Sequence, residues 1–125
     1  MIKEMNSLVL AYLGDTIYED YVREYLIKKG IGSVNELQTE SVKYSSAKAQ
    51  CDIVKRLIDD NYFSDDELEI IRRARNHKNS SHPRNCDIVT YKYATGLEAL
   101  IGYLKLENKI NRIEETMKNI WFFVK

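Results

Sequence analysis

The segment Leu10–Tyr25, LAYLGDTIYEDYVREY, decides the fold of this chain, because its apolar residues recur at the three- and four-residue spacing of an α-helix. The helical pattern extends from Ser7, a suitable N-cap, to Lys29, and Gly30 suits the position that follows a helix. Apolar residues occupy more than one face, which is typical of a helix with neighbours on several sides. We therefore predict that this helix is central to an all-α fold.

The rest of the chain also carries helical patterns separated by turn signals. Ser33 and Ser64 each precede a glutamate by three residues, which is typical of a capping box at a helix N-terminus. Further helices are predicted from Ser45 or Ser46 to Asp60, from about Val89 to Leu106, and after Asn108 to Phe123. Five Gly and one Pro leave little material for a turn-rich β architecture. We predict a single all-α domain over residues 1–125, with no sheet.

Composition excludes several classes of protein. Hydrophobic residues are 44% of the chain and charged residues 30%, as in an ordinary globular domain rather than a disordered one. No apolar run approaches the ~20 residues that span a bilayer, and the N-terminus lacks a signal-peptide pattern. Cys51 and Cys86 have no CxxC spacing and are expected to be reduced thiols. These features favour a cytoplasmic protein with no membrane segment.

Two carboxylates, Asp15 and Glu98, lie within apolar helical segments that are far apart in the sequence. Asp15 belongs to the first helix, and Glu98 belongs to the segment Thr95–Leu106, TGLEALIGYLKL. A carboxylate buried in its charged form is costly unless a cation compensates it. One interpretation is a buried salt bridge to Arg or Lys. The other is that both acids meet around a divalent cation, which prefers carboxylate oxygens and water.

Three features favour the metal over the salt bridge. Small residues flank both acids and leave room for a hydrated ion and a phosphate, namely Ala11, Gly14, Ala94, Thr95 and Gly102. His77 and His82 lie in a polar loop and are expected to be exposed to solvent rather than to bind zinc. A basic segment leads directly into the Glu98 helix, as a site for a polyanion would require. Magnesium held by few carboxylates, water and phosphate suits phosphodiester hydrolysis.

The basic segment Arg72–Lys92 contains six bases and one acid, a local charge of +5, although the whole chain is neutral with nineteen of each. An isolated run of this kind is usually a solvated face. Beside a metal site, we interpret it as a surface for duplex RNA, which is read through phosphates and 2′-hydroxyls with little base specificity. The predicted RNA-binding residues are Arg72, Arg73, Arg75, Asn76, Lys78, Arg84 and Lys92, and Asn79 is a further donor.

The two acid-bearing segments resemble the catalytic domain of the ribonuclease III family. Further matches are RRARNHK at Arg72–Lys78 and NCDIVTYKYATGLEALIGYL at Asn85–Leu104. The resemblance covers essentially the whole chain in order. It is nearest to a small bacterial branch without an appended double-stranded-RNA-binding domain. LGD and EALIG are weak motifs individually, but their separation and the basic segment between them make the combination specific.

This resemblance implies an all-helical bundle that acts as a homodimer and cleaves double-stranded RNA with Mg²⁺, leaving 5′-phosphate and 3′-hydroxyl ends. It also implies that Asp15 and Glu98 are catalytic residues and metal ligands, because they match the family's LGD aspartate and EALIG glutamate. The branch is associated with maturation of precursor large-subunit (23S) ribosomal RNA. The implied partners are that RNA, a second copy of the chain and a ribosomal protein that binds the RNA and stimulates cleavage.

The sequence departs from the larger relatives, which carry further acids where this chain has Leu8, Ala11 and Thr95. Glu19, one turn after Asp15, is either a compensating metal ligand or a plain surface or ion-pairing residue. The missing acids also leave an alternative function open, a non-catalytic RNA-binding module of the same fold associated with ribosome assembly. The retention of both central acids favours the enzyme.

A homodimer is also expected from the chemistry, because cutting both strands of a duplex requires two sites related by a dyad. We expect the apolar stretch Leu8–Ile17 to form the interface. Most tyrosines are expected to pack in the core with their hydroxyls near the surface, namely Tyr12, Tyr18, Tyr21, Tyr91 and Tyr103. The last helix is expected to be an amphipathic cover.

Overall fold

The computed structural model describes residues 1–78 and 84–124, and every regular element within them is a helix. The helices are α1 (Ser7–Lys28), α2 (Val34–Ser45), α3 (Ala47–Asp59), α4 (Asp65–Arg75), α5 (Ile88–Leu106) and α6 (Ile110–Phe123), preceded by a 3-10 turn at Ile2–Glu4. The predicted all-α fold is thus confirmed. In the described part of the chain, no helix is both long and apolar enough to cross a membrane.

The helix around which the others pack is α5. Its residues from Ala94 to Leu104 are buried except Glu98, and α1, α3 and α4 pack against it. The centre of the fold is α5, and α1, which packs against α5, α2 and α4, has neighbours on several sides as predicted. The physical reason is charge, because Glu98 is the one formally charged residue between Lys92 and Lys105, whereas α1 carries several charged residues on a face that meets water.

The last helix, α6, covers one side of this core as expected. Its inward stripe is buried, and consists of Ile113, Thr116, Met117 and Ile120. Trp121 stacks on Tyr25 of α1, with the ring centroids 4.0 Å apart and the rings nearly parallel. The predicted amphipathic cover is thus confirmed.

α1 and α5 cross in backbone-to-backbone contact. A Cβ atom placed on Gly14 would lie 2.9 Å from the Gly102 nitrogen and would overlap the Glu98 carbonyl. A Cβ atom on Gly102 would overlap the Leu10 carbonyl in the same way. The absence of a side chain at both positions is what allows so close an approach. Because Asp15 follows Gly14 directly, the crossing brings its carboxylate to Glu98.

The helix termini follow the predicted turn chemistry with two differences. Asn6 rather than Ser7 caps α1, accepting a backbone hydrogen bond at 2.8 Å, and Ser7 is buried as the first helical residue. Asn and Ser are nearly equal as N-caps, so composition alone does not choose between neighbours. Ser64 forms the complete capping box of α4 with Glu67, whereas Ser33 supplies only the serine half of its box.

A buried ion pair joins α6 to the start of α4. Arg112 donates to both carboxylate oxygens of Glu67, at 2.7 and 2.8 Å, and to the Tyr62 carbonyl at 2.8 Å. Burial disfavours the charged form of Glu67, but hydrogen bonds from Arg112 and Ser64 outweigh it and lower the Glu67 pKa. The two-point geometry is the strong form of an arginine–carboxylate pair.

We expect Arg112→Met to destabilise the fold by about 3 kcal/mol, because it leaves the Glu67 carboxylate buried without its partner. In the wild type this contribution is present above the ordinary glutamate pKa of 4.5 and is lost as the pH falls through the lowered folded-state pKa. Urea unfolding at pH 7 and pH 3 measures both effects. Adding Glu67→Gln should recover part of the loss. Equal stability of Arg112→Met and wild type at pH 7 would contradict this role.

Candidate active site

The structure brings Asp15 of α1 and Glu98 of α5 together beside the glycine crossing. Their carboxyl groups are within hydrogen-bonding reach of each other. Asp15 is exposed to solvent, whereas Glu98 is partly buried. The acid in apolar surroundings is thus Glu98, and Asp15 lies at the open side of the pair. The sequence pattern had suggested apolar surroundings for both.

Glu98 has an unusually high pKa. Burial of the carboxyl group raises the pKa to about 8, and the charge and hydrogen bond of Asp15 act in the same direction. The Gln50 side chain of α3 opposes this shift by hydrogen bonding to the charged form. Among the ion pairs of residues 1–78 and 84–124, none includes Asp15 or Glu98. The salt-bridge interpretation therefore fails for this region, and the pair's negative charge is left for another cation.

The two carboxylates fit a divalent cation that keeps most of its water. Within the described residues, no three His, Cys, Asp or Glu side chains converge on one point. A metal cage made entirely by protein side chains, as structural zinc requires, is thus absent from that part of the chain. Mg²⁺ is commonly bound through one or two carboxylates, with water and substrate phosphate completing its coordination. Asp15 and Glu98 match this small donor set.

Glu19 does not join the two acids in a three-ligand group. It lies one turn beyond Asp15 on α1, and its Oε1 accepts a hydrogen bond from Arg23 Nε at 3.2 Å. Of the two interpretations left open for Glu19, this geometry favours the ion-pairing surface role. The physical reason is that the guanidinium one turn further along the helix already neutralises the carboxylate.

Three arginines of the basic segment make contacts inside the chain. Arg72 forms a two-point pair with Glu69 on the same helix, with one contact of 2.6 Å. Arg73 donates to two backbone carbonyls of the N-terminal segment. Arg75 donates to the Tyr93 hydroxyl at 3.1 Å. Arg73 therefore stabilises the fold, and RNA contact by these three residues stays a prediction.

The other predicted RNA-binding residues lie around the α4–α5 connection. Asn76, Lys78 and Arg84 are exposed, and Lys92 is partly buried. Asn79 and His82 lie outside the described residues. Lys55 of α3 lies beside this segment in the structure: its amino group is 4.8 Å from the ring centroid of Tyr93, and the Arg75 guanidinium is 5.2 Å from the same centroid. The sequence did not single out Lys55, because it is separated from the basic segment along the chain.

Two residues differ in exposure from what the sequence suggested. Tyr12 is 83% exposed, so it does not pack in the core; it lies one turn before Asp15 on the open side of α1. His77, expected to be exposed, is partly buried, and its Nδ1 atom is buried. Tyr18 and Tyr103 are buried as predicted. Tyr12 was misplaced because α1 has apolar residues on several faces, and periodicity does not say which face is covered.

Gln50 is the site residue that the sequence analysis missed. It is 3% exposed and shares the buried stripe of α3 with Ile53, Val54 and Leu57. A lone amide at helical spacing within an apolar stripe is the signal that would have found it, because a buried polar side chain requires a partner. That partner is Glu98, which the sequence alone did not place against α3.

Comparison with known proteins establishes the class of protein. The family model of the Ribonuclease III domain matches residues 8–109, a range that contains Asp15, Glu98 and the glycine crossing. The chain therefore belongs to the ribonuclease III family, whose members are endoribonucleases. Enzymes of this family generally depend on divalent metal ions.

Within this family, the chain is similar to Mini-ribonuclease 3 proteins. It is 39% identical to Mini-ribonuclease 3 of Staphylococcus aureus, and the match covers 95% of this chain and 89% of that protein. It is 42% identical to Mini-ribonuclease 3 of Brevibacillus brevis, with 95% and 87% covered. A crystal structure of a Fusobacterium nucleatum protein matches with a TM-score of 0.84 at 33% identity, covering 94% of this chain and 93% of that one. The resemblance to the small branch of the family is thus confirmed.

Proposed function

We propose that this protein is a Mg²⁺-dependent endoribonuclease that cleaves double-stranded RNA through Asp15 and Glu98. The observation that carries the proposal is the meeting of exposed Asp15 with partly buried Glu98 at the α1/α5 crossing, in a chain of the ribonuclease III family. Two carboxyl groups held together, with no ion-paired base in the described residues, form a donor set suited to a hydrated divalent cation once Glu98 has released its proton.

The two carboxylates have different tasks in this proposal. Asp15 is exposed and presents its oxygens on the side from which a phosphate can approach, whereas Glu98 holds the inner position. A divalent cation bound by both would lower the pKa of the attacking water and stabilise charge on the phosphate. Hydrolysis adds the water oxygen to phosphorus and breaks the bond to the 3′ oxygen, which takes up a proton. The products are 5′-phosphate and 3′-hydroxyl ends.

A homodimer would supply the second site needed to cut both strands. One Asp15/Glu98 pair in each chain gives one cut, and a two-fold axis relates the two cuts. Val9 and Tyr12 support the proposal that Leu8–Ile17 contributes to the interface, because they are large side chains with 52% and 83% exposure. The basic residues of the α4–α5 connection would then follow the phosphates of the duplex.

The natural substrate that we propose is precursor large-subunit (23S) ribosomal RNA in the cytoplasm. This substrate, and a ribosomal protein bound to the RNA as a stimulating partner, are what the sequence resemblance to the small branch of the family implies. Mapping the RNA ends that accumulate when the protein is depleted identifies the natural cleavage site.

We expect the purified protein to cleave long duplex RNA with Mg²⁺ and to lose at least about 100-fold of that rate in EDTA, because the metal supplies several kcal/mol of transition-state stabilisation. Adding excess Mg²⁺ should restore cleavage. A gel-based time course measures the rate, with one strand of the same RNA as the matched control.

Three results of this experiment are informative. Undiminished cleavage in EDTA would remove the metal from the proposal. Equal cutting of the single strand would remove the duplex as substrate. Duplex binding without cleavage at any Mg²⁺ concentration would support the alternative, a non-catalytic RNA-binding module of the same fold.

A further inference from the structure

We propose that Gln50 is a positioning residue that holds the Glu98 carboxylate in the orientation used for metal binding and RNA cleavage. The inference rests on the proposed function of the Asp15/Glu98 site and deepens it. It assigns a role to α3, which contributes no acid to the pair.

The burial of Gln50 indicates that packing alone does not explain its amide. The side chain is 3% exposed, and the rest of its stripe on α3 is apolar or small, with Ile53, Val54 and Leu57 all buried. Burying an amide costs roughly 1–3 kcal/mol unless it is hydrogen-bonded. A methionine or leucine would fill the same space without that cost. A specific partner is therefore needed to account for the amide.

α3 packs against α5, and the Gln50 side chain lies within hydrogen-bonding reach of the Glu98 carboxylate. In the charged form that a cation requires, the Glu98 carboxylate only accepts hydrogen bonds, so the amide nitrogen of Gln50 would be the atom that donates. Glu98 is thus approached from two helices, by Gln50 of α3 on one side and by Asp15 of α1 on the other. Such a contact would limit the rotation of the Glu98 side chain and so orient its carboxylate toward Asp15.

The chemistry of the amide suits this position. Gln50 is neutral, so it orients the carboxylate without neutralising the charge that a cation would use. A lysine or arginine at the same place would form a salt bridge with Glu98 and compete with the cation. Groups that orient a metal ligand in this way typically contribute 10–100-fold to metal affinity or activity.

The test replaces Gln50 with methionine, which has a similar length and volume and no donor. We expect Gln50→Met to lower kcat for duplex RNA by about 10–100-fold, to raise the Mg²⁺ concentration giving half-maximal rate by about tenfold, and to leave KM for RNA unchanged. Binding of Mn²⁺ to the RNA-free protein, followed by electron paramagnetic resonance, should weaken in parallel. Gln50→Leu, which has a different shape, should show the same losses.

The matched control is Cys51→Ala. Cys51 is the next residue of α3 and is also 3% exposed, and it packs near Thr90 of α5 rather than at Glu98. Its truncation should lower the thermal midpoint without changing the Mg²⁺ requirement or the Mn²⁺ affinity. If Gln50→Met and Gln50→Leu also change only the thermal midpoint, Gln50 is a packing residue and the inference is overturned.

The experiment also separates this inference from the proposed function. Wild-type cleavage that depends on Mg²⁺ and is lost in Glu98→Gln, together with normal kcat and Mn²⁺ binding in both Gln50 variants, would refute the role of Gln50 alone. A wild-type protein that neither binds Mn²⁺ nor cleaves duplex RNA would overturn the proposed function, and the inference with it.

Discussion

Glu98→Gln is expected to lower the rate of duplex cleavage by at least about 1,000-fold, or about 4 kcal/mol, while RNA binding is retained. The substitution preserves the size of the side chain and removes the charge that would hold the inner side of a metal site. Asp15→Asn should have an effect of the same order, because each acid is half of the donor set. Single-turnover cleavage measures the chemical step, and filter binding with the same duplex measures RNA affinity.

Glu98→Gln should also make the metal-free protein more stable than the wild type as the pH rises. Burial and the Asp15 charge raise the Glu98 pKa to about 8, so the folded state keeps a proton that an unfolded glutamate releases above about 4.5. The unfolded state then binds fewer protons, and stability falls between pH 4.5 and pH 8. Glutamine has no such loss. In EDTA, the thermal midpoint of Glu98→Gln minus that of the wild type should therefore increase between pH 5 and pH 8.

Two further acids on α1 serve as controls for Asp15. Asp20→Asn removes an exposed charge from the same helix and should leave cleavage within about twofold of wild type, because surface substitutions away from a site have small effects. Glu19→Gln should behave likewise if its pair with Arg23 is its only role. Full Mg²⁺-dependent activity in both Asp15→Asn and Glu98→Gln would show that neither residue is catalytic.

Local signals in the sequence were sufficient to predict the helices. Helical spacing, the Ser64 capping box and the Ser46 cap of α3 act within a few residues, so they can be recognised in the sequence itself. The two site acids were also found from the sequence, because a charged residue in an apolar helical run needs an explanation. Their contact was a hypothesis that rested on the small residues beside both acids and on the basic segment, and the family resemblance agreed with it; spacing along one helix says nothing about its position relative to another.

The features that the sequence did not predict all depend on contacts between helices. The exposure of Tyr12 and the burial of Gln50 follow from which face of α1 and of α3 meets α5. In both helices, the residue types on more than one face are compatible with burial, so the sequence does not decide which face meets α5. The N-terminal contacts of Arg73 are likewise invisible in a basic run, because they join residues that are far apart along the chain. The basic composition of Arg72–Lys92 therefore suggested an RNA-binding surface, although one of its arginines, Arg73, stabilises the fold.

Gly14→Ala is expected to destabilise the fold by at least about 4 kcal/mol, which is near the upper end for a single substitution. The added Cβ would overlap the Glu98 carbonyl and lie 2.9 Å from the Gly102 nitrogen, so backbone rather than a flexible side chain must move. Alanine favours a helix over glycine by about 1 kcal/mol, and propensity alone therefore predicts the opposite sign. Urea unfolding measures the difference.

Two other glycines calibrate this prediction. Gly32→Ala adds a Cβ with no atom within 4 Å and should change stability by less than about 0.5 kcal/mol. Gly96→Ala places a Cβ 3.1 Å from Ile71 Cγ2 and 3.3 Å from the Ile71 carbonyl oxygen, contacts that a shift of a few tenths of an ångström relieves, and should cost about 1–2 kcal/mol. If Gly14→Ala is as stable as Gly32→Ala, α1 and α5 can separate without cost, and the close crossing does not hold the fold together.

The crossing also connects stability to the proposed chemistry. Asp15 follows Gly14, and the Glu98 carbonyl is the group that an added methyl would displace, so a change in helix separation moves both site acids at once. In conditions where Gly14→Ala remains folded, such as low temperature, its cleavage rate should fall more than that of Gly96→Ala. The reason is that a shift of about 1 Å in catalytic groups can cost on the order of 100-fold in rate. Equal rates for the two folded variants would show that the site tolerates a wider crossing.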